Sequence, residues 1–549
     1  MRATNESNPN IEGFDEKVTY SIASNEELND PTTGRHGNET DEASYLEPLQ
    51  LIPVFAALSL GIFILGLDNT IVGTATPTIT NEFRSLTDFA WYGSAYRLAT
   101  CSSQFLFGKV YEQFRVKWVL VTAVSILEVG SIVSATAPSS AALIAGRAIA
   151  GFGSAGILIG VFIVITHSVP PRWRPICNST VGGLECIAMI VAPVIGGALA
   201  TYVSWRWCFW INLPVGGFTI AVLVVLLKNP ESQKIPEGTL FSKLRHLNIP
   251  ALSIFTGSVV PLLLALQWGG TTYNWSSARI IALFAVAAVA FGAFTILEML
   301  RKDRATIPSS VLLNRTGGLC ILYAFCSSAA FNIVDYFLPI WFQAIKGASA
   351  AESGAMLLPS IISLAVAAIS SGFIVSFLGY YTPLMLIGSS MMAVGFSFLT
   401  TFTPATGRPS WIGWQVLFGL GFGLAFPQPW SAIQTALPAE DIAAGLSAIS
   451  FAISIGAALF ISISQNIFTN LLRDGLSGVQ AVNADDIISQ GVTDLLNTLP
   501  GSERQGVIGA YNFAVTRTFW ACVAVAVLGF LAASCLEWRS VKSADKTSS

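Results

Sequence analysis

The chain has 549 residues, of which 53% are hydrophobic and only 11% are charged, and its formal net charge is −3. Because soluble domains carry about 25% charged residues, this composition excludes a soluble globular protein and predicts an all-α integral membrane protein. The small negative charge argues against a nucleic-acid partner. The sequence holds no GxxxxGK[ST] loop, which excludes an ATP-driven pump unless a separate subunit supplies the motor.

The predicted elements begin after an acidic cytosolic tail, residues 1–48, whose eleven acidic and three basic residues predict disorder. Fourteen apolar runs follow, each close to the roughly 20 residues that cross a bilayer as a helix. Six fill residues 49–228, two lie with cytosolic loops in residues 229–310, and six lie in residues 311–538, which include a long outer loop of short amphipathic helices at 471–517. A cytosolic tail, residues 539–549, ends the chain. The runs begin near Leu51, Phe89, Trp118, Ser140, Ile176, Trp205, Pro250, Ile280, Gly317, Ser353, Thr382, Trp411, Ala443 and Thr518.

The basic residues predict the orientation of these helices. With a cytosolic N-terminus, thirteen Lys and Arg residues, among them Lys109, Arg172 and Lys234, lie in the inner loops, and five lie in the short outer loops. Cytosolic loops are enriched in Lys and Arg, so both termini are predicted inside. The sequon Asn274-Trp-Ser276 then faces outward. It is a candidate glycosylation site, although its closeness to the membrane leaves the modification open.

The two halves of the chain repeat. Arg147–Gly153 in the fourth run matches Gln415–Gly421 in the twelfth, and Gly108 matches Gly372 at nearly the same offset. This repeat predicts two pseudo-symmetric six-helix bundles with two extra helices inserted between them. Repeated halves with a binding site between them are typical of alternating-access transporters.

Six sequence motifs stand out, namely Leu67–Pro77, Gly108–Lys117, Arg147–Gly153, Ala192–Gly197, Trp205–Pro214 and Trp341–Gly347. Together they resemble the major facilitator superfamily, in particular the fourteen-span drug:proton antiporters of fungi, which include toxin and secondary-metabolite efflux pumps. The resemblance implies the major facilitator fold. The sequence departs from the family pattern at Glu112, where aspartate is usual, at Arg115, where the second glycine is usual, and at Ala188 and Ala192, where glycine is usual.

Two of these motifs are predicted to control conformation. The resemblance assigns this role to Gly108, Glu112 and Lys117 in the loop after the second span, and to the fifth-span motif. In that span, small residues recur every four positions and so share one helix face, where a neighbouring helix can approach closely. A proline within the pattern bends the helix. Ordinary bundle packing is the alternative interpretation. The fifth-span residues are Ala188, Ala192, Pro193, Gly196, Gly197 and Ala200.

Five ionisable residues inside spans are candidates for proton coupling. Glu185 lies about nine residues into its span, near the bilayer midplane, where a carboxylate costs several kcal/mol unless it faces a polar cavity or is protonated. Asp68, Arg97 and Arg147 are predicted at similar depth as an ion-paired cluster, with Arg97 as a second partner of Asp68. The resemblance implies that Asp68 and Arg147 couple protons to transport. Glu128 faces a central cavity or caps a neighbouring helix. A structural role stays open for Glu185, Arg97 and Glu128.

A substrate pocket is predicted around Asp335 in the ninth span. An acid among aromatic side chains suits a bulky, partly polar organic molecule. The alternative is that these aromatics face lipid. The other predicted pocket residues are Phe331, Tyr336, Trp341 and Gln415.

The predicted function is export of a hydrophobic small molecule, a fungal secondary metabolite or mycotoxin or a xenobiotic drug, in exchange for protons at the plasma membrane. Uptake or vacuolar transport of an iron chelate or a basic amino acid is the alternative, and a non-transporting sensor is a third class, disfavoured by the short tails. No catalytic or metal-ligand spacing occurs among the eight cysteines and three histidines. We therefore expect no enzyme activity, metal or cofactor, a proton gradient as the energy source, and a monomer. No motif encodes the identity of the substrate.

Overall fold

The computed structural model describes residues 48–85, 88–229, 239–270, 272–301, 305–476 and 501–542. The described chain folds into nineteen helices. In chain order they are α1 (Pro48–Phe83), α2 (Phe89–Gln113), α3 (Val116–Ala135), α4 (Ser140–Ser168), α5 (Arg174–Tyr202), α6 (Trp207–Trp210), α7 (Asn212–Leu226), α8 (Leu240–His246), α9 (Ile249–Trp268), α10 (Ala278–Leu300), α11 (Ser309–Leu313), α12 (Arg315–Lys346), α13 (Ala350–Met356), α14 (Leu358–Leu378), α15 (Thr382–Leu399), α16 (Arg408–Ala425), α17 (Gln428–Ala436), α18 (Ile442–Leu476) and α19 (Gly501–Ser534).

Thirteen helical stretches in the described ranges combine the length and the apolar composition that a membrane crossing needs. They coincide with thirteen of the fourteen predicted spans, so the chain is a multi-pass membrane protein. The remaining predicted span is α2. It has 25 residues, long enough to cross a membrane, but it carries Arg97, Gln104, Lys109 and Glu112 and is less apolar than the other thirteen stretches. Its polar residues are accommodated because α2 packs between α4, α9 and α18.

The helices form two groups of the same design. In the N-terminal bundle α1 packs on α5 and α7, and α4 packs on α2 and α3; in the C-terminal bundle α12 packs on α18 and α19, and α16 packs on α14 and α15. The bundles meet along two seams, α5 against α14 and α2 against α18. The inserted helices α9 and α10 pack on each other, and α9 also contacts α2 and α18, so the insertion covers the second seam.

Glycines at matching positions of the repeat make matching contacts. A Cβ added at Gly153 would lie 2.6 Å from the Leu127 nitrogen and 2.7 Å from the Ala123 oxygen. At the matching Gly421, it would lie 2.8 Å from the nitrogen of Met392, the residue that corresponds to Leu127, and 2.6 Å from the oxygen of Gly388. The α3–α4 crossing is therefore reproduced at α15–α16, as the internal repeat predicts.

Both predicted boundaries of the long outer loop, residues 471–517, are wrong. Helix α18 continues to Leu476, and α19 already begins at Gly501, seventeen residues before the predicted Thr518. The apolar face of this extension packs on the end of α18, where the rings of Phe468 and Tyr511 lie 5.8 Å apart, and this contact favours helix over loop. The predicted acidic tail up to residue 47, the amphipathic helices within 477–500, Lys234 and the last seven residues lie outside the described residues.

Candidate functional site

An ion pair between Asp68 on α1 and Arg147 on α4 lies at the centre of the N-terminal bundle. The Arg147 Nη1 and Asp68 Oδ2 atoms are 2.7 Å apart, and the two side chains are 1% and 0% exposed. Arg147 Nη2 also donates to the Asp68 carbonyl oxygen at 3.1 Å. The predicted pairing of these residues is present, and its burial means that removing one partner leaves the other charge away from water.

Three further groups surround this pair. Arg147 Nε donates to the carbonyl oxygen of Tyr92 at 3.0 Å, and its guanidinium lies 4.4 Å from the ring centre of Tyr96, a cation–π distance. Asn212 Nδ2 donates to Asp68 Oδ1 at 3.2 Å. The sequence analysis did not identify these contacts, although Asn212 lies within one of the quoted motifs. A buried amide that donates to a carboxylate stabilises the charged form of that carboxylate.

Glu185 lies on α5 close to this cluster but outside it. A Cβ added at Gly66 of α1 would lie 2.7 Å from the Glu185 carbonyl oxygen, so the two backbones are nearly in contact there. The carboxylate is half-buried and interacts electrostatically with Tyr96, which also interacts with Asp68. Glu185 is therefore near the Asp68–Arg147 pair, with Tyr96 as a neighbour of both.

Glu128 on α3 is a buried carboxylate, 8% exposed, with neither oxygen hydrogen-bonded to the described part of the chain. It packs against Gly216 of α7, where any larger residue would collide with the carboxylate. Asp68 is its charged neighbour. Glu128 thus lies behind the ion pair inside the N-terminal bundle, and the predicted alternative of a position in the central cavity does not hold.

Arg97 is not a partner of Asp68, and that prediction is wrong. Its Nε donates to Oδ1 of the neighbouring residue Asn69 at 3.3 Å, and its side chain is exposed. Asp68 is already occupied by Arg147 and Asn212. Arg97 instead faces the C-terminal bundle, where Asp335 is its oppositely charged neighbour.

The predicted substrate pocket is only partly assembled. Asp335 is exposed, and Phe331 stacks on Phe422 with ring centres 4.2 Å apart. Tyr336 is 46% exposed. Trp341, in contrast, is fully buried in the core of the C-terminal bundle, where its indole donates to Asn512. Its place in the predicted pocket is wrong, because the turn of α12 that carries it faces α19.

Gln415 is also misplaced by the sequence analysis. It is fully buried, and its Nε2 donates to the carbonyl oxygen of Met356 at 3.0 Å. The amide joins α16 to α13 within one bundle and therefore does not line the space between the bundles. Gln415 nevertheless corresponds to Arg147 in the internal repeat.

The loop motif lies where the bundles meet. A Cβ added at Gly108 of α2 would collide with Ser447 of α18, and one at the repeat-related Gly372 of α14 would lie 2.8 Å from the Cβ of Ser179 on α5. Glu112 pairs with Lys109 at 2.8 Å, and Lys117 donates to the Val224 carbonyl oxygen at 2.7 Å. Gly108 and Gly372 are related by the internal repeat, so both seams close at the same end of the molecule.

Polar contacts complete this closure, which we call the cytosolic seal because the basic residues assign this end to the cytosol. The hydroxyls of Ser179 and Ser371 are 3.1 Å apart. Asn178 Nδ2 donates to Ser431 at 3.1 Å and to Gln434 at 2.8 Å. All of these groups are buried. Sequence analysis missed this network because isolated Ser, Asn and Gln residues in apolar helices carry no recognisable spacing.

The small-residue face of α5 packs within its own bundle. A Cβ added at Gly66 of α1 would lie 2.9 Å from the Ala188 Cβ, and one at Gly196 would lie 2.7 Å from Ile71 of α1. Ala192 is fully buried, whereas Pro193 is exposed and Gly197 has open space in place of a side chain. The predicted close helix seam is therefore α1 against α5, and the contact of α5 with the other bundle uses Gly183 and Ser179.

The sequon Asn274 lies in the turn between α9 and α10, with an exposed side chain. The next residue, Trp275, donates to Asn466 of α18 and covers Gly269. The asparagine is accessible on a packed turn, and its modification stays a prediction.

Comparisons with known proteins agree with this architecture. The Major Facilitator Superfamily model matches residues 58–461. MFS-type efflux pump MFS1 of Arthroderma benhamiae is 42% identical over 503 residues, 91% of this chain and 94% of that protein. Efflux pump aflT of Aspergillus parasiticus is 39% identical over 504 residues, 91% of this chain and 98% of that protein.

Two solved structures show the same fold. The proton:xylose symporter XylE has a TM-score of 0.59 at 14% identity and covers 91% of this chain and 100% of its own. The human organic anion transporter MFSD10 has a TM-score of 0.58 at 13% identity, with coverage of 89% and 100%. The predicted fold is confirmed, and the chain belongs to the Major Facilitator Superfamily.

Proposed function

We propose that the chain is a proton-coupled efflux transporter that exports a hydrophobic small molecule by alternating access. The names of the relatives support export, since several are efflux pumps. The observation that carries proton coupling is the buried Asp68–Arg147 pair, a protonatable acid whose charge is balanced by a single cation in a place that water does not reach.

Protonation of Asp68 would remove the ion pair but would not free Arg147. The guanidinium keeps its bonds to the carbonyl oxygens of Tyr92 and Asp68 and its contact with the Tyr96 ring. The neutral Asp68 side chain, and with it the Asn212 amide on α7, is the part that can rearrange. Proton binding thus changes how α1 and α7 pack against each other, and these helices carry the two-state element that alternating access needs.

The bundles are closed at the cytosolic seal and separated nearer the other end. Arg97 and Asp335, on opposite bundles, are exposed although each lies more than two helical turns from the nearest helix end. A space therefore opens between the bundles toward the predicted outside. This arrangement fits the step at which an exporter releases substrate and takes up a proton.

The substrate is proposed to be a secondary metabolite or a xenobiotic, and the membrane to be the plasma membrane. The relatives include proteins named as an aspyridones efflux protein and as efflux pumps. A transporter family and the apolar spans support transport without chemical conversion of the cargo.

Inside-out membrane vesicles test the energy source. With the interior acidified, hydrophobic fluorescent dyes and aromatic polyketides are offered from the medium, and uptake by vesicles containing the wild type is compared with uptake by vesicles containing Asp68→Asn. Accumulation that requires the pH gradient and is lost in the variant supports the proposal. Accumulation that requires ATP and ignores the gradient contradicts it.

The seal can be locked to test alternation. In a background without native cysteines, Ser179→Cys combined with Ser371→Cys places two thiols where the hydroxyls are 3.1 Å apart. Oxidation should stop transport, and reduction should restore it, while each single variant keeps transporting under oxidation. Continued transport by the fully oxidised pair would contradict alternation across this seal.

A further inference from the structure

Arg97 and Asp335 face each other across the space between the bundles. Arg97 is eight residues from the outer end of α2 and Asp335 eleven from the outer end of α12, so at 1.5 Å per residue they lie about 12 and 16 Å deep. Both side chains are exposed at these depths, and their charges interact. They therefore line the same cavity from opposite walls.

Neither charge has a direct ion-pair partner among the described residues. Arg97 uses one of its five N–H donors, on Asn69, through a long 3.3 Å bond. Asp335 accepts no hydrogen bond from the described residues, and the two groups form no direct ion pair in that part of the chain. Charged groups inside a membrane protein are costly unless they are partnered or functional. This pair is thus arranged to bind something that enters the cavity.

The surroundings indicate what that partner is. One turn before Asp335 on α12, the half-buried ring of Phe331 stacks on the buried ring of Phe422 from α16 and forms an apolar wall. Asn332, one turn from Asp335, donates its side-chain N–H to the carbonyl oxygen and the hydroxyl of Ser328. A cation, an acceptor and aromatic rings around one space suit a molecule with an acidic group, a hydroxyl and a flat apolar body.

We propose that Arg97 and Asp335 form a two-point recognition site for amphipathic organic acids, an inference that rests on the proposed export function. Arg97 binds the ionised acidic group of the substrate, and Asp335 accepts a hydrogen bond from a hydroxyl at the other end of the molecule. The aromatic wall holds the ring system between them. Neutral molecules and organic cations bind more weakly, because each leaves Arg97 without a counter-charge.

Equilibrium binding to purified protein in detergent tests this site without any gradient, so it reads out even if proton-driven export fails. The probe is 6-hydroxy-2-naphthoic acid, followed by fluorescence anisotropy. Its methyl ester lacks the charge, and the 6-methoxy acid lacks the hydroxyl. The wild type should bind the hydroxy acid about tenfold or more tighter than its ester, the preference expected from one charge-assisted contact.

The variants assign each end of the probe. Arg97→Gln should remove the preference for the acid over its ester, and Asp335→Asn the preference for hydroxyl over methoxy. Arg279→Gln, an equal charge change at the exposed start of α10, where the guanidinium donates to the Tyr273 hydroxyl, should change neither. Melting temperatures of the variants check folding.

Two results would overturn the assignment. One is a wild type that binds acid and ester alike. The other is an Arg97→Gln variant that loses affinity for the acid and its ester equally, which would make Arg97 and Asp335 a structural bridge between the bundles. If binding is selective but no gradient drives transport, the recognition site stands and the proposed export function fails.

Discussion

We predict that the two single variants of the Asp68–Arg147 pair lose unequal amounts of stability. Arg147→Gln leaves a fully buried carboxylate with Asn212 as its remaining donor, whereas Asp68→Asn leaves a guanidinium that still has two carbonyl acceptors and the Tyr96 ring. Removing one partner of a buried ion pair costs about 3–5 kcal/mol. We expect Arg147→Gln to lose stability in that range and Asp68→Asn to lose clearly less.

The double variant is the decisive control. Asp68→Asn with Arg147→Gln contains no uncompensated charge, and neutral replacement of a buried pair is often close to isoenergetic. It should regain most of the stability that Arg147→Gln loses, and yet remain inactive in gradient-driven transport. Thermal unfolding in detergent, followed by the monodisperse fraction after heating, ranks the four proteins. A double variant as unstable as Arg147→Gln, or one that transports normally, would refute this reasoning.

Two further predictions concern helix packing and the support of the pair. Gly151→Ala should lower the melting temperature, because its Cβ would collide with the Tyr96 carbonyl oxygen. Gly197→Ala should leave it unchanged, because no other group in the described part of the chain lies within 4 Å of the added Cβ. Equal effects of the two substitutions would show that the crossing at Gly151 tolerates a methyl group. Asn212→Ala should lower the free energy of unfolding by about 1–3 kcal/mol, because it leaves an Asp68 oxygen unsatisfied, and the same melting assay measures this loss. It should also reduce transport further than the stability loss explains. Unchanged transport would show that Asn212 is not part of the coupling element.

Most of the fold could be predicted from the sequence because a lipid environment leaves a clear signal. Every backbone group must be satisfied within its own helix, so long apolar runs become spanning helices. The starts of α2, α4 and α15 coincide with the predicted residues. The prediction failed at Arg504–Arg517 in α19, where polar and apolar residues are mixed and the apolar residues pack on the end of α18.

The site was harder to predict because depth along a helix does not give direction around it. Depth predicts one cluster of Asp68, Arg97 and Arg147, but only Asp68 and Arg147 pair, while Arg97 bonds to Asn69 and has Asp335 as its charged neighbour. Trp341 was misplaced for the same reason, since it belongs to the aromatic stretch of α12 but faces the core. Such assignments require the contacts between helices that are distant in sequence.

Proton movement measured together with substrate movement tests the central claim most directly. Protein in liposomes without a pH gradient is given a transported dye on one side, and a trapped pH indicator reports protons on the other. The account predicts that dye entering the liposomes drives protons out, so the interior becomes alkaline with the wild type and does not change with Asp68→Asn. Dye movement by the wild type with no proton signal would contradict proton-coupled exchange.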